Sequence, residues 1–255
     1  MNEFLRNFNS EDDFNYSVHI SDEFRFVYFN NPKSACTTIK ASLNLACAAA
    51  LGRRLDYASI ADIHERSQNL LATPAAIGYG RFVEILADPS YFKFCFIREP
   101  IQRIVSAFAS KLSWESESLV ALNRWLGRRD NDPVNFAEFI RLLSSDDRLR
   151  DIDEHWRLQR NQVCFDLVDF DKVGLFENLD ADLTAVLERL FGGGQPIFDV
   201  RRHFSGNESY SKDLLETLTE DMRIQIDQIY REDVNMYEAA GNLGTRARGG
   251  VTSLT

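Results

Sequence analysis

The chain has 255 residues, of which 44% are hydrophobic and 27% charged, a balance that suits one large globular domain and excludes collagen, coiled coil and disulfide scaffold. Its 29 Lys and Arg against 39 Asp and Glu leave a net charge of −10. That argues against a broad grip on DNA or RNA, so an anionic ligand would need a small cationic site working against the global field.

Residues 1–24 hold six acidic residues (Glu3, Glu11, Asp12, Asp13, Asp22, Glu23) against one basic, Arg6, and read as a surface lead-in. Arg25 to Asn31 is short and rich in β-formers, as a buried strand is, and Pro32 ends it. A helix of small residues is predicted over Ile39 to Ala50. The longest apolar candidate, Ile39 to Leu51, is interrupted by Lys40, Ser42 and Asn44, so no membrane span is expected. Residues 53–90 read as irregular helix. Tyr91 to Ile97 is a second strand, and Pro100 opens a helix over Ile101 to Leu112. Residues 113–163 read as mostly helical. Phe165 to Val168 and Lys172 to Phe176 read as short strands, Asp180 to Phe191 as an amphipathic helix, and Lys212 to Ala240 as a last long helix. These elements form one domain over 25–240, and the glycine-rich stretch 241–255 is expected to be a disordered tail. The order of strands and helices predicts an α/β fold, a mainly parallel sheet flanked by helices, with ligands beyond the carboxyl ends of the strands.

Two motifs fall at that edge. Asn31-Pro32-Lys33-Ser34-Ala35-Cys36-Thr37-Thr38 joins the first strand to the first long helix. Small side chains let backbone N–H groups approach an anion, and the helix N-terminus adds unpaired donors and partial positive charge. Thr37 and Thr38 add hydroxyls, and Lys33 adds a mobile cation. A phosphate loop of nucleoside triphosphatases would read GxxxxGK[ST]; here the glycines are missing and the lysine comes first, which argues against that class and its Mg²⁺ site. The bland alternative is a polar helix cap beside a surface lysine. In the second motif, Arg98 sits at the end of the FCFI strand and Ser106 eight residues on, in the following helix. A guanidinium fork and a hydroxyl can converge there on one phosphate. Arg103 is either a third contact or the partner of Glu99.

Together the two motifs resemble the 5′-phosphosulfate loop and the 3′-phosphate element of sulfotransferases that use 3′-phosphoadenosine 5′-phosphosulfate (PAPS), and most of all the Golgi carbohydrate sulfotransferases, including the chondroitin and HNK-1 type. FCFIREPIQRIVSAFASKL, residues 94–112, is similar to that family's FVREPFxRLVSAYxxKF stretch. Asp153-Glu154-His155-Trp156 with Cys164 looks like its DxHWxPQ…C segment, with Leu158 in place of the proline. Gly174 to Leu179 resembles GKYETL, and Tyr230, Asp233 and Tyr237 echo a closing Y…D…Y pattern. The resemblance implies a P-loop-like sulfotransferase fold that moves a sulfuryl group from PAPS to a hydroxyl of a glycan or glycan-like acceptor, releases PAP and requires no metal. It implies that Lys33 stabilises charge at the bridging oxygen, that backbone N–H groups of Ser34, Ala35, Cys36, Thr37 and Thr38 hold the 5′-phosphate, and that Arg98 and Ser106 hold the 3′-phosphate.

The base is open among His64, between the motifs, His155 on the DEHW segment, and a carboxylate such as Glu65. His155 also fits a packing role beside Trp156. His19 reads as a surface residue. Arg201-Arg202-His203 fits either an anion contact or a solvated charge run, and Trp114, Trp125 and Trp156 fit packing better than sugar stacking. The Golgi enzymes carry a membrane anchor and a lumenal disulfide setting. This N-terminus lacks a signal-peptide pattern, and Cys36, Cys47, Cys95 and Cys164 lack CxxC or metal spacing, so a bacterial-type cytoplasmic member is expected. The rival readings are a P-loop-type nucleotide kinase and a non-catalytic PAP-binding or scaffold protein.

Overall fold

The computed structural model describes residues 1–113, 115–200 and 208–248. Four strands, β1 (Val18–Ser21), β2 (Phe26–Phe29), β3 (Phe92–Ile97) and β4 (Lys172–Leu175), form one sheet in that order. β1 pairs antiparallel with β2, whereas β2, β3 and β4 run parallel, with Phe26 opposite Phe92 and Phe94 opposite Lys172. The predicted mainly parallel α/β sheet is therefore present. The helices are α1 (Asn2–Leu5), α2 (Glu11–Ser17), α3 (Cys36–Ala50), α4 (Ile60–His64), α5 (Pro74–Ile77), α6 (Tyr79–Ala87), α7 (Pro100–Lys111), α8 (Glu117–Trp125), α9 (Phe136–Ser145), α10 (Gln159–Gln162), α11 (Leu179–Phe191), α12 (Glu208–Glu216), α13 (Glu220–Ile229) and α14 (Arg231–Arg248).

The period-2 alternation of the strands sorts the core. Phe26, Tyr28, Phe94 and Phe96 face Ile39 and Leu43 of α3 and Leu183 and Leu187 of α11. Val27, Phe29, Cys95 and Ile97 face the other way, onto Phe4, Phe14 and Phe82. Both faces are covered, so β2 is buried throughout and β3 nearly so, and their sequences read as continuous apolar runs. Each buried phenylalanine contributes about 1.5–3 kcal/mol of transfer free energy. A further cluster, including Ile104, Phe108, Leu122, Phe139 and Trp156, packs α7, α8 and α9 together. Gly174 on β4 lies opposite Phe96, and a Cβ there would come within 2.4 Å of that ring, so only glycine lets β4 close onto β3.

Four sequence expectations need correction. Residues 1–24 are part of the fold: Phe4, Phe8 and Phe14 are buried, and Val18–Ser21 is the edge strand. The acidic residues misled because Glu3, Glu11, Asp12, Asp22 and Glu23 face solvent while the phenylalanines between them face in. Phe165–Val168 is a turn, because Cys164 adopts a left-handed conformation (φ 54°) and the apolar side chains fill the core beneath the sheet rather than pairing. The single last helix is three: Thr219 caps α13 by accepting from the Met222 N–H, and the chain bends again at Tyr230. Finally, α14 continues through Gly241 to Arg248, where the tail was expected.

Candidate active site

The first motif follows β2 at its carboxyl end. Lys33 (φ 70°) and Ala35 (φ 63°) both take the left-handed conformation, which curls the loop into a tight cradle. Ala35 is the N-cap of α3 and supplies no side-chain cap, so the first-turn donors of this long helix are left to another acceptor. Asn31 fixes the loop from beneath: its Nδ2 donates to Ser34 Oγ (3.0 Å), to the Phe96 carbonyl (3.0 Å) and to Gln159 Oε1 (2.8 Å). Lys33 is half-buried and donates to Ser110 Oγ at 2.7 Å. Burial, with help from Lys111, Arg98 and Arg103, pushes its ammonium pKa down to about 8.

The second motif follows β3. Glu99 accepts from the N–H groups of Ile101 and Gln102 and so caps α7, whose first residue is Pro100. Arg98 lies over the Phe176 ring, 4.0 Å from its centroid, and donates to the Lys33 carbonyl at 3.2 Å. Arg103 does neither job expected of it. It is buried and donates to the carbonyls of Pro32 (3.1 Å), Arg157 (2.8 Å) and Glu154 (3.1 Å), tying three segments together. Ser106 lies three residues after Arg103 and four before Ser110, on the helix face whose neighbours touch Pro32 and Lys33. The two motifs thus meet, and the donor set they present — helix N–H groups, hydroxyls, Lys33 and Arg98 — is one that fits phosphate groups.

The two histidines differ sharply. His64 is saturated: Lys40 Nζ (2.7 Å) and Tyr16 Oη (2.6 Å) meet its Nδ1, and Thr37 Oγ1 lies 3.1 Å from its Nε2. An ammonium can only donate, so Nδ1 is the acceptor and Nε2 carries the proton toward Thr37. Burial, then Lys40, Lys111 and His155, lower its pKa to about 4. His155 is held through Nδ1 to Asp153 Oδ1 at 2.7 Å, and Asp153 Oδ2 accepts from Ser118 at 2.6 Å. Its Nε2 makes no hydrogen bond among the described residues. Burial lowers the His155 pKa, opposed by Asp153 and aided by Lys111 and Lys33. Beside it opens a cavity of about 400 Å³ lined by Lys111, Ser118, Asp153, Glu154 and His155. Glu154 Oε2 is buried there with no hydrogen-bond partner among the described residues, and burial with Asp13 and Asp153 pushes its carboxyl up to about 7.

The match to the family described as "Sulfotransferase family" covers residues 16–238, which takes in both motifs and the DEHW segment. The chain belongs to the sulfotransferase family. It is 28% identical to carbohydrate sulfotransferase 12 of Mus musculus over 254 residues, covering 88% of this chain and 60% of the relative. It is 30% identical to carbohydrate sulfotransferase 14 of Homo sapiens over 190 residues, covering 67% and 46%. The chain therefore spans about half the length of these curated relatives. No solved structure matches it.

Leu158, which departs from the resembled DxHWxPQ segment, has a φ of −52°, one a proline ring would fix. Other expected residues lie elsewhere. Glu65 is exposed and accepts from the Ser67 N–H, capping the next turn rather than facing the loops. His19 is not a surface residue; it is fully buried on β1 against Arg66, and burial lowers its pKa. Trp156 is core, donating to the Leu149 carbonyl, and Trp125 is exposed beneath Arg148. Arg201, Arg202, His203 and Trp114 lie outside the described residues. Sequence reasoning missed Tyr16 and Lys40, because their contacts with His64 are 48 and 24 residues distant in the chain. Asn31, Lys111, Phe176 and Gln159 were within reach, since all four stand inside the quoted segments.

Proposed function

We propose that this chain transfers the sulfuryl group of PAPS to a hydroxyl of a carbohydrate or glycan-like acceptor. PAPS, when bound, supplies the activated sulfuryl group, and PAP is what remains. The observation that carries the reading is the meeting of the two loops, with Arg98 donating to the Lys33 carbonyl, beside a cavity that holds an Asp153–His155 pair. The α3 N–H groups with Thr37 and Thr38 hold the 5′-phosphate; Arg98 and Ser106 hold the 3′-phosphate. Lys33 meets the charge that develops at the bridging oxygen, a role in which positioned cations act mainly in the transition state.

His155, rather than His64, takes the acceptor hydroxyl's proton at Nε2. Asp153 holds the Nδ1 proton and so presents the Nε2 lone pair, the arrangement expected of an oriented general base. His64 holds Thr37 and hence the first turn of α3. The test is radiolabelled PAPS offered with a panel of mono-, oligo- and polysaccharides. Label should pass to at least one hydroxyl-bearing acceptor with PAP released; PAP binding without transfer to any acceptor would favour the non-catalytic reading.

A further inference from the structure

Gln159 lies at the centre of the site yet none of the roles above uses it. It is fully buried, the first residue of α10, in the stretch that carries His155. Its Oε1 accepts from Asn31 Nδ2 (2.8 Å), in the first loop, and from the Arg98 backbone N–H (2.9 Å), in the second. Its Nε2 donates to the Arg98 carbonyl at 2.8 Å. The flipped amide would set its NH₂ against two donors and its oxygen against a carbonyl, so the amide has one sensible orientation. Asp233 of α14, itself buried, accepts the backbone N–H groups of Gln159 (2.8 Å) and Arg160 (2.9 Å) and pins the residue in place.

We infer that Gln159 is a positioning residue that locks the two phosphate loops into one unit and fixes their spacing from His155. This rests on the sulfotransferase reading for its effect on PAP, but not for the locking itself. One side-chain amide bridges Asn31 and Arg98, residues 67 positions apart that lie just beyond the paired ends of β2 and β3. Without it, the Arg98 guanidinium keeps its own contacts with the Lys33 carbonyl and the Phe176 ring, but the Arg98 backbone loses its tie to Asn31 and with it the fixed spacing of the second loop from the first. Preorganisation of that kind sets how well one ligand satisfies both loops at once.

The experiment has two arms on the full chain, with Gln159→Leu and, in case that variant folds poorly, the near-isosteric Gln159→Glu, which loses the donor to the Arg98 carbonyl. In the first arm, hydrogen exchange is measured without ligand. Locking predicts faster exchange in both residues 33–38 and 97–99, with β4 unchanged. Faster exchange confined to 156–162 overturns the inference. In the second arm, PAP and adenosine 5′-phosphate are titrated. PAP affinity should fall at least about tenfold with a matching loss of preference for PAP, the size of one lost charge-linked contact. Adding Arg98→Ala to Gln159→Leu should then cost far less than it costs in the wild type, because the two act through one geometry. Undiminished preference for PAP, or full additivity, contradicts the inference. If the wild type itself binds no PAP, the sulfotransferase reading falls, while the exchange arm still decides whether Gln159 locks the loops.

Discussion

Lys33, His155 and His64 separate by what each touches. Lys33 is half-buried with its ammonium pKa near 8, and in the proposed reaction it acts on charge that exists only as the bond breaks. Lys33→Ala should therefore leave PAP binding largely intact and lower turnover at least about a hundredfold. Equal losses in affinity and turnover would make it a ground-state anchor instead. His155→Ala should abolish most turnover with PAP affinity near normal. His64→Ala should weaken PAP binding about two- to tenfold, the value of an ordinary hydrogen bond to Thr37, and leave the pH profile in place. The reverse pattern would return the base to His64.

The pH dependence of kcat/KM follows from the same groups. In the proposed reaction His155, faced by Asp153, Glu154, Lys111 and Lys33, works unprotonated, and burial lowers its pKa, so the rate should rise through the acid range to a plateau reached at lower pH than an ordinary imidazole would give. Lys33 works protonated, so the rate should fall again above about 8. A profile that still climbs past that point would remove Lys33 from the chemistry. The Asp-x-His spacing at 153–155 was legible in the sequence, and so was the lysine-first loop. What was not legible was which histidine has both ring nitrogens engaged, since that depends on Tyr16 and Lys40 arriving from α2 and α3.

At the scale of elements, β2 with α3 and β3 with α7 were readable because Pro32 and Pro100 punctuate runs of strong β-formers. Both junctions put their loops at one sheet edge. The turn at Phe165–Val168 was misread because a short apolar run is the same signal whether it pairs or packs. β4 supports the site indirectly, since Phe176 directly after it underlies Arg98. Gly174→Ala puts a methyl into the Phe96 ring and should destabilise the chain by about 1–3 kcal/mol, as overpacking does, seen as a lower denaturation midpoint with unchanged slope. It should also weaken PAP binding by displacing Phe176. Wild-type stability in this variant would mean that β4 moves away from β3 without cost.

Across the whole molecule, a chain of net charge −10 gathers Lys33, Lys40, Lys111, Arg98 and Arg103 about one pair of loops. Composition implies that any anion site must be local, and these cations are the local set that could form one. The N-terminal 24 residues were read as an addition to the fold, yet they supply the edge strand, core phenylalanines and Tyr16. Because the local cations work against the global field, PAP affinity should fall steadily as salt rises from about 0.1 M to 1 M, over which the screening length shrinks from about 10 Å to 3 Å. An affinity indifferent to salt would contradict an electrostatic site.

The central claim is that the two loops together read the 5′- and 3′-phosphates of one nucleotide. Calorimetric titration of the wild type and Arg98→Ala with PAP, adenosine 5′-phosphate and ATP in the presence of Mg²⁺ tests it directly. The wild type should prefer PAP, and Arg98→Ala should lose about 1.5–3 kcal/mol of PAP binding, roughly ten- to a hundredfold, with little change for adenosine 5′-phosphate. Tighter binding of ATP with Mg²⁺ than of PAP, or an Arg98→Ala variant that prefers PAP as strongly as the wild type, would contradict it.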